Sequence, residues 1–428
     1  MCVYLPHYTG PMRLNFFTTF HHPSFFLSLI RRCLSVFASA LIVLAAVWPM
    51  QAVAAPFTPA SDTEVIERLP GRASDPAIRR VESLRKQLAA RPDDATLRTE
   101  IARRYFDLAM AQGDPRYVGY ASATLAPLAQ TAPDNPDYAL VRGLLQQFSH
   151  EFDAALSSLA KASQLNPRSP EPLLWRAAIF MVQARYAEAD AECQRAAPLA
   201  EPLIGAGCNA YVQAATGQLE PAFQNLSVAV KAAAQAAPEL LLWQENRLAE
   251  MAYRLGRFEV AEGYFKAALK QGVTDQFLLG AYADFLLARQ RPGEVITLLA
   301  EWERSDILLL RLALAGKATG DKRSADWAAQ LRDRFQAAAR RGDKLHEQEA
   351  ARFELDIEGN ATKAVQIASL NYQVQKEPRD AEILLRAALA AKQPKAAQPA
   401  LDWLRTSRYE DPALAQLATQ LTAQGATR

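Results

Sequence analysis

The segment FDAALSSLAKASQLNP, residues 152–167, sets Ala155, Leu159 and Ala162 four and three residues apart and ends on Pro167. That spacing puts a small, a large and a small residue on one face of a helix. The proline then closes the helix, because it lacks an N–H and crowds the preceding turn. FEVAEGYFKAAL, residues 258–269, repeats the theme with Ala261, Phe265 and Ala268. With the first small residue as an anchor, the feature recurs at Ala121, Ala155, Ala189, Ala222, Ala261, Val295, Ala325, Ala364 and Ala397, at a mean interval of 34.5 residues. Twelve residues before the anchors stand Ala109, Gly143, Ala177, Ala210, Ala249, Ala283 and Ala313, while Arg352 and Leu385 break the rule in the last two copies. Five before stand Gly217, Gly256, Gly320 and Gly359, where the turn of a helix hairpin often needs a left-handed residue. An ordinary bundle of alanine-rich helices has no reason to keep this spacing, whereas a stack of equal helix pairs does.

With the anchor numbered 20, the small residues at 8 and 20, the large one at 24 and the proline near 32 resemble the tetratricopeptide (TPR) repeat, a helix hairpin of 34 residues. The resemblance covers roughly residues 92–410 and implies an all-α fold, a right-handed α-α superhelix (TPR solenoid) of about nine hairpins. Small residues at 8 and 20 let the two helices of a hairpin approach closely. Leu159, Leu226, Phe265 and Leu299 at 24 fill the gap to the next hairpin. One hairpin cannot hide its apolar face alone, so several must stack. Pro133 and Pro167 stop the second helix of their repeats, and Pro202, Pro238, Pro378 and Pro412 fall slightly later.

Outside the repeats, LSVFASALIVLAAVW (34–48) is apolar and uncharged, follows Arg31-Arg32 and leads to Ala52-Val53-Ala54. A basic flank, an apolar centre and a small-x-small exit make a secretory signal peptide cleaved near Ala54. Its 15 residues fall short of the roughly 20 that span a bilayer. The expected organisation is a signal peptide over 1–54, an extended leader over 55–75, a capping helix over 76–91, repeats over 92–410, and a closing helix with a tail over 411–428. Cleavage would leave 45 basic and 46 acidic residues, which argues against a nucleic-acid binder. With 50% hydrophobic residues the chain is not disordered.

Chemistry is sparse. The mature chain keeps His150 and His346 as its histidines and Cys193 and Cys208 as its cysteines, too few and too scattered for a metal site. No phosphate loop or nucleophile elbow occurs, so no catalytic residue, metal or cofactor is expected. Cys193 at position 24 and Cys208 on the next hairpin's first helix can be bridged across packed helices. Alternatively, both are small buried core residues.

In TPR proteins the first helices line a concave groove. By that resemblance the lining includes Gln147, Glu171, Met181, Tyr211, Trp243, Asn246, Glu250, Tyr253, Arg254 and Asp284. The Lys/Asn/Lys/Arg set with which some TPR domains grip a C-terminal carboxylate is missing from the matching positions. The expected function is a non-enzymatic protein–protein interaction scaffold in the periplasm, holding a peptide or helix of an envelope or secreted partner. The alternatives are an accessory factor of a polysaccharide or peptidoglycan enzyme, and a membrane-tethered assembly factor that keeps its signal. On the first reading the chain meets the membrane only transiently, through the signal peptide.

Overall fold

The computed structural model describes residue 61 and residues 76–426, so the expected signal peptide and nearly all of the expected leader lie outside the described residues. The chain divides into two units, residues 1–68 and 69–428, and every described helix belongs to the second. After α1 (Pro76–Ala90) come nine helix pairs among the described residues. The first is α2 (Ala95–Gln112) with α3 (Arg116–Leu125), the latter prolonged by the short α4 (Leu128–Thr131). Then follow α5 (Pro136–Phe148) with α6 (Phe152–Leu165), α7 (Glu171–Val182) with α8 (Tyr186–Ala196), and α9 (Pro202–Ala215) with α10 (Leu219–Ala232). The middle continues with α11 (Pro238–Arg254) and α12 (Phe258–Lys270), then α13 (Gln276–Ala288) and α14 (Pro292–Leu298). The last three are α15 (Asp306–Thr319) with α16 (Ser324–Arg341), α17 (Glu347–Asp356) with α18 (Ala361–Val374), and α19 (Pro378–Ala390) with α20 (Gln398–Ser407). A final helix, α21 (Pro412–Ala426), closes the series. No strand occurs among the described residues.

The repeat pattern translates directly into packing. Ala109, Ala121, Ala155, Ala189, Ala222 and Ala261 are buried to the last few square ångströms, as are the larger residues Leu159, Leu226, Phe265 and Leu299. At Gly143 a Cβ would stand 2.7 Å from Leu159 Cγ, so this hairpin tolerates no side chain there at all. Asp94, Asn135, Asp275, Ser305 and Asn360 cap helix N-termini by accepting backbone N–H bonds. The late prolines have a different task from stopping helices. Pro202, Pro238, Pro378 and Pro412 each open the following helix, where a missing N–H costs nothing and the fixed φ already suits the first turn.

The seventh repeat corrects the reading from the sequence. Its turn carries two residues more than its neighbours' after Gly320, which moves Trp327, not Ala325, into the contact between the two helices. Ala325 is exposed, and Trp327 is 1% exposed. Gly316 on α15 makes room for the indole, since a Cβ there would approach the ring to 2.9 Å. A glycine facing a tryptophan replaces the alanine pair used elsewhere.

Each hairpin from the second to the ninth turns through one left-handed residue at repeat position 15. Gly217, Gly256, Gly320 and Gly359 supply it at φ between 71 and 80°. His150, Ala184, Gln290 and Lys392 supply it at φ between 56 and 59°. The geometry is therefore imposed by helix packing even where the sequence lacks glycine, at a cost of roughly 1 kcal/mol for each side chain. The first hairpin instead uses Gly113 as the cap of α2.

Cys193 in α8 is bonded to Cys208 in α9, with Cα atoms 5.6 Å apart, so consecutive hairpins are joined covalently. Closing a loop of 15 residues is worth about 3 kcal/mol in chain entropy.

Successive turns of the coil also touch. Gln276 Nε2 of α13 donates to Met110 O of α2. The Lys376 N–H, after α18, donates to Val182 O at the end of α7 (2.7 Å), and Trp403 Nε1 of α20 donates to the Tyr186 hydroxyl of α8 (2.8 Å). Further along, Glu410 accepts from the Leu219 N–H, while Arg254 lies over the Tyr409 ring at 3.7 Å and donates to Glu410 O. Residues four to six repeats apart are thus brought together, and the C-terminal part of the chain meets the third to fifth repeats where their first helices end and their second helices begin.

The left-handed turns give the fold's most direct test. Gln290 is exposed, so Gln290→Gly should raise unfolding stability by about 0.5 kcal/mol, the strain released less the added freedom of the unfolded chain. Gly256→Ala should lower it by about 1 kcal/mol, both read from urea titrations. A loss of stability in Gln290→Gly as well would contradict the imposed turn.

Candidate functional site

The inner wall is built by the first helix of each pair, and the ten residues expected to line it fall into distinct situations. Four are engaged with the chain itself. Glu171 pairs with Arg103 and accepts from Trp175 Nε1. Glu250 pairs with Arg379 of α19 (2.8 Å). Arg254 donates to Ala214 O (2.7 Å) as well as to Glu410 O. Asp284 receives Arg311 and Arg352, each at 2.7 Å. Burial resists the charge on Asp284, but Arg311, Arg352 and Arg379 overcome it and hold this carboxyl well below the usual range.

Met181 and Tyr253 are packing residues. Met181 is 6% exposed among Ala177, Phe180 and Val212, and Tyr253 packs on Phe258 and Phe285. Tyr211 lies under the Arg247 guanidinium (4.6 Å), and burial, reinforced by Glu377, drives its hydroxyl pKa up. Trp243 is 52% exposed near the start of α11 and hydrogen-bonds the Asp275 carboxylate. Gln147 and Asn246 differ from all of these. Each presents a buried amide oxygen, Oε1 and Oδ1 respectively, that accepts no hydrogen bond within the protein.

Arg247, absent from the sequence expectation, joins this set. Its Nη1 donates to Gly207 O (3.1 Å) and it pairs with no carboxylate among the described residues. Burial lowers its pKa, against the pull of Tyr211 and Glu250. Its role was hidden because it follows Asn246 by one position, off the groove positions that the repeat pattern marks. Asp380, 2% exposed, accepts from Asn371 Nδ2 (2.7 Å) and the Glu377 N–H (2.9 Å), and burial, with Glu377 adding, pushes its pKa up. Among the described residues no cluster of His, Cys, Asp and Glu could hold a metal ion, and no helix is long and apolar enough to cross a membrane.

No model of a known protein family matches the chain, and no curated protein matches it. Solved structures do. A tetratricopeptide repeat protein from Parabacteroides merdae is 13% identical, covers 60% of this chain and 91% of its own, and superposes with a TM-score of 0.40. A Rap protein complexed with competence and sporulation factor is 14% identical over 81% of this chain and 99% of its own, with a TM-score of 0.44. PilW, a type IV pilus biogenesis factor, is 21% identical over 55% of this chain and 94% of its own, with a TM-score of 0.33. Scores this low carry no argument by themselves; the repeat length, the hairpins and the left-handed position 15 do. The architecture is a TPR solenoid.

Two histidines of this solenoid are shifted in opposite directions. Gln375 Nε2 donates to the His150 ring (2.7 Å to Nε2), and burial, with His346 adding, pushes His150 down to about 4 against Glu349 and Asp343. Burial also opposes the charge on His346, but Glu349 holds it (3.9 Å), helped by Asp306 and Asp343, and raises it above the ordinary 6.5. For His150 the unfolded chain takes the proton first, so its contribution to stability is lost as pH falls from about 6.5 to about 4. For His346 the contribution is present below 6.5 and lost as pH rises through its raised value. An NMR titration of the imidazole Cε1 protons should resolve one midpoint near 4 and one above 6.5. Two midpoints together near 6.5 would contradict this arrangement.

Proposed function

We propose that this protein is an exported, non-enzymatic scaffold that binds an extended segment of another envelope or secreted protein along its inner wall. The observation that carries the reading is the pair of buried amide oxygens on Gln147 and Asn246. A buried acceptor without a donor costs about 1–3 kcal/mol, and a peptide backbone brings donors at regular intervals. Arg247, with donors to spare beside Asn246, adds a positive group to the same wall. Such a partner meets one face of several repeats at once, which is how solenoids gain contact area. Export rests on the basic, apolar and small-x-small sequence of residues 31–54, and the periplasm is the compartment it implies for a Gram-negative cell. It also fits the Cys193–Cys208 bond, since disulfides persist in oxidising compartments.

A photocrosslinking side chain placed at Gln147 or Asn246, in cells, tests the wall directly. The same group at Val260, exposed on the outer helix α12, is the control. The inner positions should give one discrete protein adduct in the envelope fraction, and the recovered scaffold should begin near Ala55 by N-terminal sequencing. Adducts from Val260 alone would overturn the inner-wall reading, and a chain that keeps residues 34–48 would overturn cleavage and favour the membrane-tethered alternative.

A further inference from the structure

A second cleft lies away from the inner wall. It opens between the turn leading into α8 on one side and α18 and α20 on the other, and encloses about 1010 Å³. That is the upper end of what small ligands fill, and it suits a chain segment. The cleft exists only because two turns of the coil meet here. Its floor is the Trp403–Tyr186 hydrogen bond and its edge the Lys376–Val182 backbone bond.

Its charged residues are not equivalent. Glu188 is held by Arg185 (2.9 Å), and Asp402 by Gln398 (3.0 Å) and Arg405 (2.9 Å). Lys376, half-buried in the lining, pairs with no carboxylate among the described residues. Beside it Tyr372 is 3% exposed, yet its hydroxyl makes no hydrogen bond within the protein. A lysine without a carboxylate partner and a buried hydroxyl without a hydrogen-bond partner thus line one cleft, and the hydroxyl is an unmet demand. The aromatic walls of Tyr186 and Trp403 supply apolar area next to them.

We propose that this cleft is a separate docking site for an extended peptide of a partner protein, in which an aspartate or glutamate side chain meets Lys376 and Tyr372 while a neighbouring apolar side chain lies on Tyr186 and Trp403. The charge complementarity is specific: Glu188 is paired with Arg185 and Asp402 with Gln398 and Arg405, which leaves Lys376 as the lining charge with no ion-pair partner among the described residues. The site is made from two turns of the coil, so its occupation also stabilises their contact. It does not depend on the inner-wall reading, because none of its lining residues belongs to that wall's unpaired set.

The test is a phage-displayed library of random octapeptides, fused at their C-termini so that no free carboxyl end contributes, panned against the purified protein. Sequences with an acidic residue beside an aromatic or aliphatic one should be enriched. For an enriched peptide made synthetically, Lys376→Gln should weaken binding at least ~10-fold, the range expected for a charged hydrogen bond, and Lys376→Arg should retain it. Tyr372→Phe, which removes only an unpartnered hydroxyl and leaves the fold intact, should weaken it several-fold. A Gln147→Ala, Asn246→Ala variant should bind as the wild type does. Enrichment without acidic residues, no enrichment at all, or binding that ignores Lys376→Gln would overturn the proposal. Loss in the Gln147→Ala, Asn246→Ala variant alone would assign the peptide to the inner wall instead.

Discussion

The contact between successive turns of the coil sets the character of this solenoid. In an open superhelix, each repeat meets only its neighbours and the inner wall is a groove. Here Arg254, at the end of α11, lies on Tyr409 and donates to Glu410 O, while Tyr186 of α8 receives the indole of Trp403. These contacts link residues more than 150 positions apart, which nearest-neighbour stacking alone never does. They turn the inner-wall charge of Glu250 into an internal ion pair with Arg379. Among the described residues they leave without a hydrogen-bond partner the amide oxygens of Gln147, Asn209 and Asn246 and the Tyr372 hydroxyl, and without a carboxylate Arg247 and Lys376.

How tightly a helical stack coils follows from small rotations between neighbouring pairs, each set by side-chain volume. The covalent Cys193–Cys208 link fixes one of those steps. At the seventh repeat, Trp327 against Gly316 sets another with a bulky residue where the other pairs use alanine or, in the sixth, valine. Four hairpins hold a side chain in the left-handed region to keep the same turn, and Lys376, whose N–H pins one turn to the next, comes just before the last of them. Strain in the turns and contact between the coils are two sides of one geometry.

The local unit was legible in the sequence because its signal is steric and repeats: a methyl group at Ala155 and the lack of one at Gly143 each leave a mark every 34 residues or so. The shift at Ala325 was not, because two extra residues in a turn change the helical phase without changing composition. The same limit hid the fate of the groove. Position in a repeat puts Glu250 and Arg254 among the residues expected to face inward, but the number of repeats per turn, which brings Arg379 and Tyr409 to them, is a sum of small angles that no single repeat records. Asn246 and Gln147 were expected from their repeat positions to face inward; that their oxygens lack partners depends on everything that packs around them.

The central claim is that the C-terminal repeats rest on the middle ones, and a double-mutant cycle on Arg254 and Tyr409 measures that contact most directly. Urea unfolding of Arg254→Ala, Tyr409→Ala and the double variant should give a coupling of about 1 kcal/mol, the worth of a desolvated cation–π pair. A coupling within a few tenths of a kcal/mol of zero would mean that these two side chains, 155 positions apart, never meet in solution, and that the coil stands open.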